Sequence, residues 1–226
     1  MIKKLNTISK NKIKRKSKEN VEMNDFIFSN KLKTELQFLR DNPEKLPCAL
    51  CFYGEPGTGK TSFAKNLASE FSADVLYYDS NSYKSESKTS NAIVKEIRSM
   101  CNSMNLFDDE KKPFMRVFII DEFHDLSPIA QNNYKVLVED IRERDMIFIF
   151  ILNTERNSKK SSYENRVTPA MRSRFHAINF DIHKDQVDEV CKLAKNKYPN
   201  LPKKIIHKFV SDSDMRQLSS KAKMLS

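Results

Sequence analysis

The chain has 226 residues, with 40 Lys or Arg against 30 Asp or Glu and a formal net charge of +10. That length suits one large domain, or a domain with a small lid. The longest apolar run, MIFIFIL from Met146, falls far short of the roughly 20 residues that a membrane span needs. The first residues also lack the apolar segment of a secretory signal, so a soluble intracellular protein is expected, with no membrane partner: cytoplasmic or, in a eukaryotic setting, nuclear.

The charge is concentrated at the amino end. Residues 1–18, MIKKLNTISKNKIKRKSK, carry eight Lys or Arg and no acid, so the other 208 residues contribute only +2. Residues 1–20 read as a disordered basic tail, because so few apolar side chains cannot form a core. Such a tail suits nonspecific contact with nucleic-acid phosphates, a nuclear address through KIKRK, or plain solvation. The α/β core is expected over residues 21–182 and a helical lid over 183–226.

In chain order, FIFSNKLKTELQFLRDN from Phe26 reads as an amphipathic helix stopping before Pro43. LPCALCFYG (46–54) reads as a buried strand. Its Cys48 and Cys51 form a CxxC, but positions three apart on a strand point to opposite faces. No second CxxC or paired histidines complete a tetrahedral metal site. They read as reduced core cysteines. A helix over TSFAKNLASEF (61–71) follows the strand. VLYYD (75–79) is the next strand, and residues 89–104 form a helix with Thr89 as its cap. RVFIIDE (116–122) is a strand, and residues 128–142 form a helix opening on proline. MIFIFILNT (146–154), the short helix TPAMRSRF and the last strand AINF (177–180) complete the core. Continuous apolar strands alternating with helices imply a five-stranded parallel sheet covered on both faces, an α/β fold. From residue 184, three helical segments (KDQVDEVCKLAKNK, KKIIHKFV and SDMRQLSSKAKML) form the lid. The four histidines (His124, His176, His183 and His207) are scattered and receive no chemical role.

The whole chain holds three glycines, where average usage near 7% would give roughly sixteen. All three lie in GEPGTGKT, residues 54–61. Glycine is needed where the backbone takes positive φ or approaches a ligand closely. Gly54, Glu55, Pro56, Gly57, Thr58, Gly59, Lys60 and Thr61 match G-x-x-x-x-G-K-[ST], the phosphate-binding loop, with Ser62 opening the helix behind it. Backbone N–H groups would cradle phosphates, Lys60 would reach the β- and γ-phosphates, and the Thr61 hydroxyl would bind Mg²⁺. ATP with Mg²⁺ is the expected ligand.

Asp121 and Glu122 end a buried strand, at the carboxyl edge where open α/β sheets bind ligands. Asp121 can hold Mg²⁺ through water, and Glu122 can polarise an attacking water. Asn153 ends the next strand, where an amide could orient that water. Arg172 and Arg174 flank a short helix at a spacing where a neighbouring subunit's phosphate comes within reach, and Arg216 lies on the lid.

Together GEPGTGKT, FIIDE, the Asn of ILNT, SRF after TPAMR and DMRQL resemble the AAA+ ATPases, over residues 24–222. More narrowly they resemble the clamp-loader branch, the replication factor C small subunits and phage clamp-loader ATPases. That resemblance implies a P-loop core with a helical lid. It implies Asn153 as the first sensor, Arg174 (chosen over Arg172 on the family pattern) as the finger acting on a neighbour's ATP, and Arg216 as the second sensor. It also implies companion AAA+ subunits in a ring, DNA, and a replication protein such as a clamp or helicase. Two features depart from the branch: SRF stands where its members usually have SRC, and the sequence lacks the helical collar that follows the lid. The expected activity is MgATP hydrolysis between subunits to remodel a DNA-replication complex. A compact viral-type helicase, for which DEFH resembles a DExH box, a P-loop kinase, and a non-hydrolysing ATP-binding subunit stand as alternatives.

Overall fold

Apolar residues alternate along the strands, and the alternation sorts them onto two faces of one sheet. The computed structural model describes residues 23–72, 74–80, 87–101, 113–114, 116–140, 145–155 and 158–225; the basic tail lies outside them. The strands are β1 (Ala49–Gly54), β2 (Val75–Asp79), β3 (Arg116–Asp121), β4 (Met146–Asn153) and β5 (His176–Asn179). They pair in parallel in the order β2-β3-β4-β1-β5.

On one face Leu50 and Phe52 of β1, Val117 and Ile119 of β3, and Ile147, Ile149 and Ile151 of β4 meet two helices, α1 (Asn30–Asp41) and α2 (Lys60–Phe71). On the other, Cys51, Phe118, Ile120, Phe148 and Phe150 meet α3 (Ser87–Cys101) and α4 (Pro128–Asp140). Both faces are therefore buried, which is why the strands are apolar throughout rather than half polar. Two one-turn helices, α5 (Tyr163–Arg166) and α6 (Pro169–Arg172), lead into β5. After them α7 (Val187–Lys197), α8 (Lys203–Ser211) and α9 (Met215–Met224) enclose a third apolar cluster that also takes in Ile27. Among the described residues no helix is long and apolar enough to cross a membrane.

Three local expectations need correction. The first helix begins at Asn30, not at Phe26, because Ser29 caps it by accepting the Leu32 N–H. This releases Phe26 and Phe28 to stack on each other and to meet Phe63 edge-on. Helix α3 starts two residues before Thr89, so Thr89 lies inside it rather than at its cap. Cys48 and Cys51 do not face opposite ways. Strand β1 starts at Ala49, so alternation does not extend back to Cys48, and both side chains pack on the same cluster. All four cysteines are thiols.

Candidate nucleotide-binding site

The register of the sheet assembles the site. Gly54 lies beside Asn153 across the β1–β4 pair, and Asp79 beside Asp121 across β2–β3. Four strand ends thus open onto the loop between β1 and α2. Within that loop Gly57 has φ +88°, and an added Cβ would stand 3.0 Å from the Asp214 carboxylate that caps α9. At Gly54 a Cβ would come within 2.8 Å of the Asp181 carboxylate. That carboxylate already accepts the Glu55 N–H at 2.6 Å. Glycine is required here by left-handed backbone and by close approach of acidic side chains from the C-terminal segments.

Lys60 is almost fully buried at the start of α2. Its ammonium donates to the carbonyls of Gly54 (2.9 Å) and Glu55 (2.6 Å) and to the Thr58 hydroxyl (3.2 Å), three acceptors for three N–H bonds. Burial nevertheless lowers its pKa to about 8, against the opposing pull of Asp181, Asp121 and Glu122.

Asp121 ends β3 and is 5% exposed. One carboxylate oxygen accepts the Thr61 hydroxyl at 3.1 Å and the Tyr77 hydroxyl at 2.7 Å, and the other accepts the Glu122 N–H at 2.9 Å. Burial, reinforced by that hydrogen bond to Asp121, pushes the Tyr77 phenol far above its usual range, so it stays a donor. Thr61 and Asp121 place a hydroxyl and a carboxylate side by side, a hard-oxygen donor set that fits Mg²⁺.

Glu122 sits in the left-handed region at φ 54°, ψ 36°, uncommon for a residue with a side chain. Desolvation, then the charges of Asp121 and Asp125, raise its pKa, while the Asn153 amide pulls it back. That amide donates to both carboxylate oxygens, at 3.1 and 3.0 Å. The His124 ring lies against the same carboxylate.

A cleft of about 400 Å³ runs between the phosphate loop and the C-terminal helices. Pro56 to Ser62, Glu122 and Asn153 line one end, and Arg216 lines it from α9. Phe28, Ile27, Tyr198 and Met215 line the apolar remainder. Gly54 and Glu55 stand behind the loop, engaged with Asp181. Arg174 lies elsewhere. It borders a second cavity with Pro47, Val138 and Phe175, and its guanidinium donates to Glu139 at 3.0 Å through Nε and to Ser173 at 2.7 Å. Arg172 lines neither cavity.

Sequence reasoning missed Tyr77, His124, Asp181 and the Phe26–Phe28 segment. The Phe-Ile-Phe segment lies directly before the helix and shares its apolar character, which conceals it. His124 was visible as the last letter of DEFH, though nothing local says where its ring points.

Residues 50–181 match the family model for AAA, "ATPase family associated with various cellular activities". This chain belongs to the AAA ATPase family. Nucleotide binding at a loop of this kind is what membership implies, and the five-stranded parallel sheet with helices on both faces and a C-terminal helical region is the P-loop fold of that family. Over 188 residues the chain is 27% identical to the Holliday junction branch migration complex subunit RuvB of Mycoplasmopsis pulmonis, covering 76% of this chain and 53% of that protein. Among solved structures, replication initiator DnaA bound to AMPPCP and single-stranded DNA matches with a TM-score of 0.60 at 16% identity, over 92% of this chain and 65% of that one. A Thermotoga maritima RuvB variant matches at 0.50 and 16%, over 84% and 58%. The chain spans about half the length of the curated relative it matches. The structural likenesses speak for the fold.

Proposed function

We propose that this AAA family member hydrolyses MgATP between neighbouring subunits and uses the turnover to remodel a DNA-bound assembly, as a clamp loader or helicase loader does. Backbone N–H groups of the loop and Lys60 would bind the phosphates, and the apolar end of the cleft suits a nucleobase. Thr61 and Asp121 would hold Mg²⁺, which when bound neutralises charge on the transferring phosphoryl group. Glu122 would orient the attacking water and take up its proton. Asn153 would hold Glu122 and face the γ-phosphate, and Arg216 would tie the lid to the nucleotide.

The observation that carries this reading is the position of Arg174, away from its own chain's cleft. An arginine that cannot serve its own cleft is where a finger for a neighbour's nucleotide belongs, and such a finger is worth on the order of 10³ to 10⁵ in turnover. DNA as the setting is supported by the similarity to RuvB, a Holliday junction branch migration subunit, and to DnaA, a replication initiator, by the motif resemblance to clamp loaders, and by the basic residues 1–18.

Steady-state ATP turnover across protein concentrations, with and without primer–template DNA, tests this. The rate per subunit is expected to climb with concentration and with DNA. Arg174→Ala and Lys60→Ala chains, each inactive alone, are expected to regain turnover when mixed, because a mixed interface pairs an intact loop with an intact finger. A flat, DNA-indifferent rate with no regain on mixing would defeat the proposal.

A further inference from the structure

His124 stands three residues after Asp121, and its ring touches the ends of two strands at once. The Asn153 N–H points toward the β3 side of β4, since the next N–H, that of Thr154, goes to Gly54 of β1. Pairing of β3 with β4 stops at Ile120 and Phe150, so the ladder supplies no acceptor there. His124 Nδ1 supplies it instead, at 3.3 Å. A buried backbone N–H needs such a partner.

This contact fixes the tautomer. A backbone N–H can only donate, so Nδ1 carries a lone pair and the proton of the neutral ring sits on Nε2. Nε2 lies 3.4 Å from Glu122 Oε2 and 3.8 Å from Asp125 Oδ1, ion-pair distances just beyond a made hydrogen bond. Glu122, His124 and Asp125 also meet the spacing of a metal cluster. But a metal-bound imidazole donates from its other nitrogen, and here that nitrogen is accepting. The ring is thus set up as a proton donor to the carboxylates rather than as a ligand.

We propose that His124 is a positioning residue for the reaction, acting through Glu122. Nδ1 ties the ring to the end of β4, and Nε2–H lies against the Glu122 carboxylate and keeps it from turning away. The Asn153 amide grips the same carboxylate, so the contacts close a loop: Glu122 to His124, to the Asn153 backbone, to the Asn153 amide, and back to Glu122. This loop steadies a side chain that starts from left-handed backbone. The inference rests on Glu122 serving as the water-orienting group.

Two isosteres separate the two contacts. In His124→Gln the amide nitrogen falls near the place of Nε2 and keeps a donor to Glu122. In His124→Asn the amide oxygen falls near Nδ1 and keeps the acceptor for Asn153, losing the donor. His124→Phe removes both. With saturating MgATP, His124→Phe is expected to lower kcat by about tenfold to a hundredfold, the usual effect of losing an outer partner. KM and the affinity for a fluorescent ATP analogue are expected to stay close to wild type, since His124 does not line the cleft. His124→Gln is expected to retain more kcat than His124→Asn. Wild-type kcat in His124→Phe, or His124→Asn equal to or better than His124→Gln, overturns the inference. If His124→Phe does not fold, the order of the two isosteres decides. Glu122→Gln, measured in parallel, separates the two levels. Full turnover there removes the role given to Glu122, whereas a dead Glu122→Gln beside an unaffected His124→Phe removes only the role given to His124.

Discussion

Arg116 opens β3, and its guanidinium is buried. Nε donates to the Asp74 carboxylate at 2.7 Å and Nη1 to the Met100 carbonyl. Both side chains of the ion pair are 7% exposed. One group thus joins the start of β2, the start of β3 and the last turn of α3, and these two strands carry Tyr77 and Asp121. Arg116→Met keeps the length and apolar bulk but removes the Arg116 charge from beside the buried Asp74 carboxylate. Breaking a buried pair from one side costs about 3–5 kcal/mol. For a chain of this size each kcal/mol lowers Tm by about 2–4 °C, so Tm is expected to fall by roughly 6–20 °C. Adding Asp74→Asn should recover part of the loss, because it also removes the charge that faced Arg116. Thermal unfolding and urea titrations followed by circular dichroism would measure both proteins. A loss below about 1 kcal/mol for Arg116→Met, with no recovery in the double variant, would refute the reasoning.

Three further outcomes concern the site. Glu122→Gln should bind ATP normally while its turnover falls by about 10² or more; a fluorescent nucleotide titration beside a phosphate-release assay checks it, and normal turnover would defeat the role of that carboxylate. Tyr77→Phe removes the 2.7 Å donor to Asp121 and should raise the Mg²⁺ concentration for half-maximal turnover by about tenfold, read from a Mg²⁺ titration at fixed ATP. Lys60 should make nucleotide affinity pH-dependent. With its pKa lowered to about 8, the ammonium that phosphate needs is mostly lost by pH 9, so affinity should fall about tenfold from pH 7 to 9. For folding the sign is opposite. The unfolded chain holds this proton until its ordinary pKa, so between about 8 and 10.4 it binds more protons and this group's contribution to stability rises with pH. Equal ATP affinity at pH 7 and 9 would contradict the depressed Lys60.

The phosphate loop was legible in the sequence because its demands are local. A loop that bends into left-handed backbone and lets Asp181 and Asp214 come close tolerates only glycine at Gly54 and Gly57, and three glycines in the whole chain make that visible. The strands were legible for a similar reason, since apolar runs as long as Met146–Asn153 fit a sheet buried on both faces. Short-range capping was read less well. Ser29 overrode the apparent helix over Phe26–Phe28, and an aromatic segment of the cleft went unrecognised.

By itself, then, the sequence marked the phosphate loop and the elements that flank it, because propensity, burial period and glycine requirement are settled within a few residues. Only the tertiary structure decided who touches whom. Tyr77 reaches Asp121 because β2 pairs with β3, Glu122 meets the Asn153 amide because β3 lies beside β4, and the His124 ring accepts the Asn153 N–H beyond the paired part of the β3–β4 ladder. Arg174 is turned to Glu139 on α4, apart from its own cleft. Each of these contacts joins residues 29 to 44 positions apart in the chain. Such separations are closed by the order of strands in the sheet and the burial of both its faces, which no short stretch of sequence encodes.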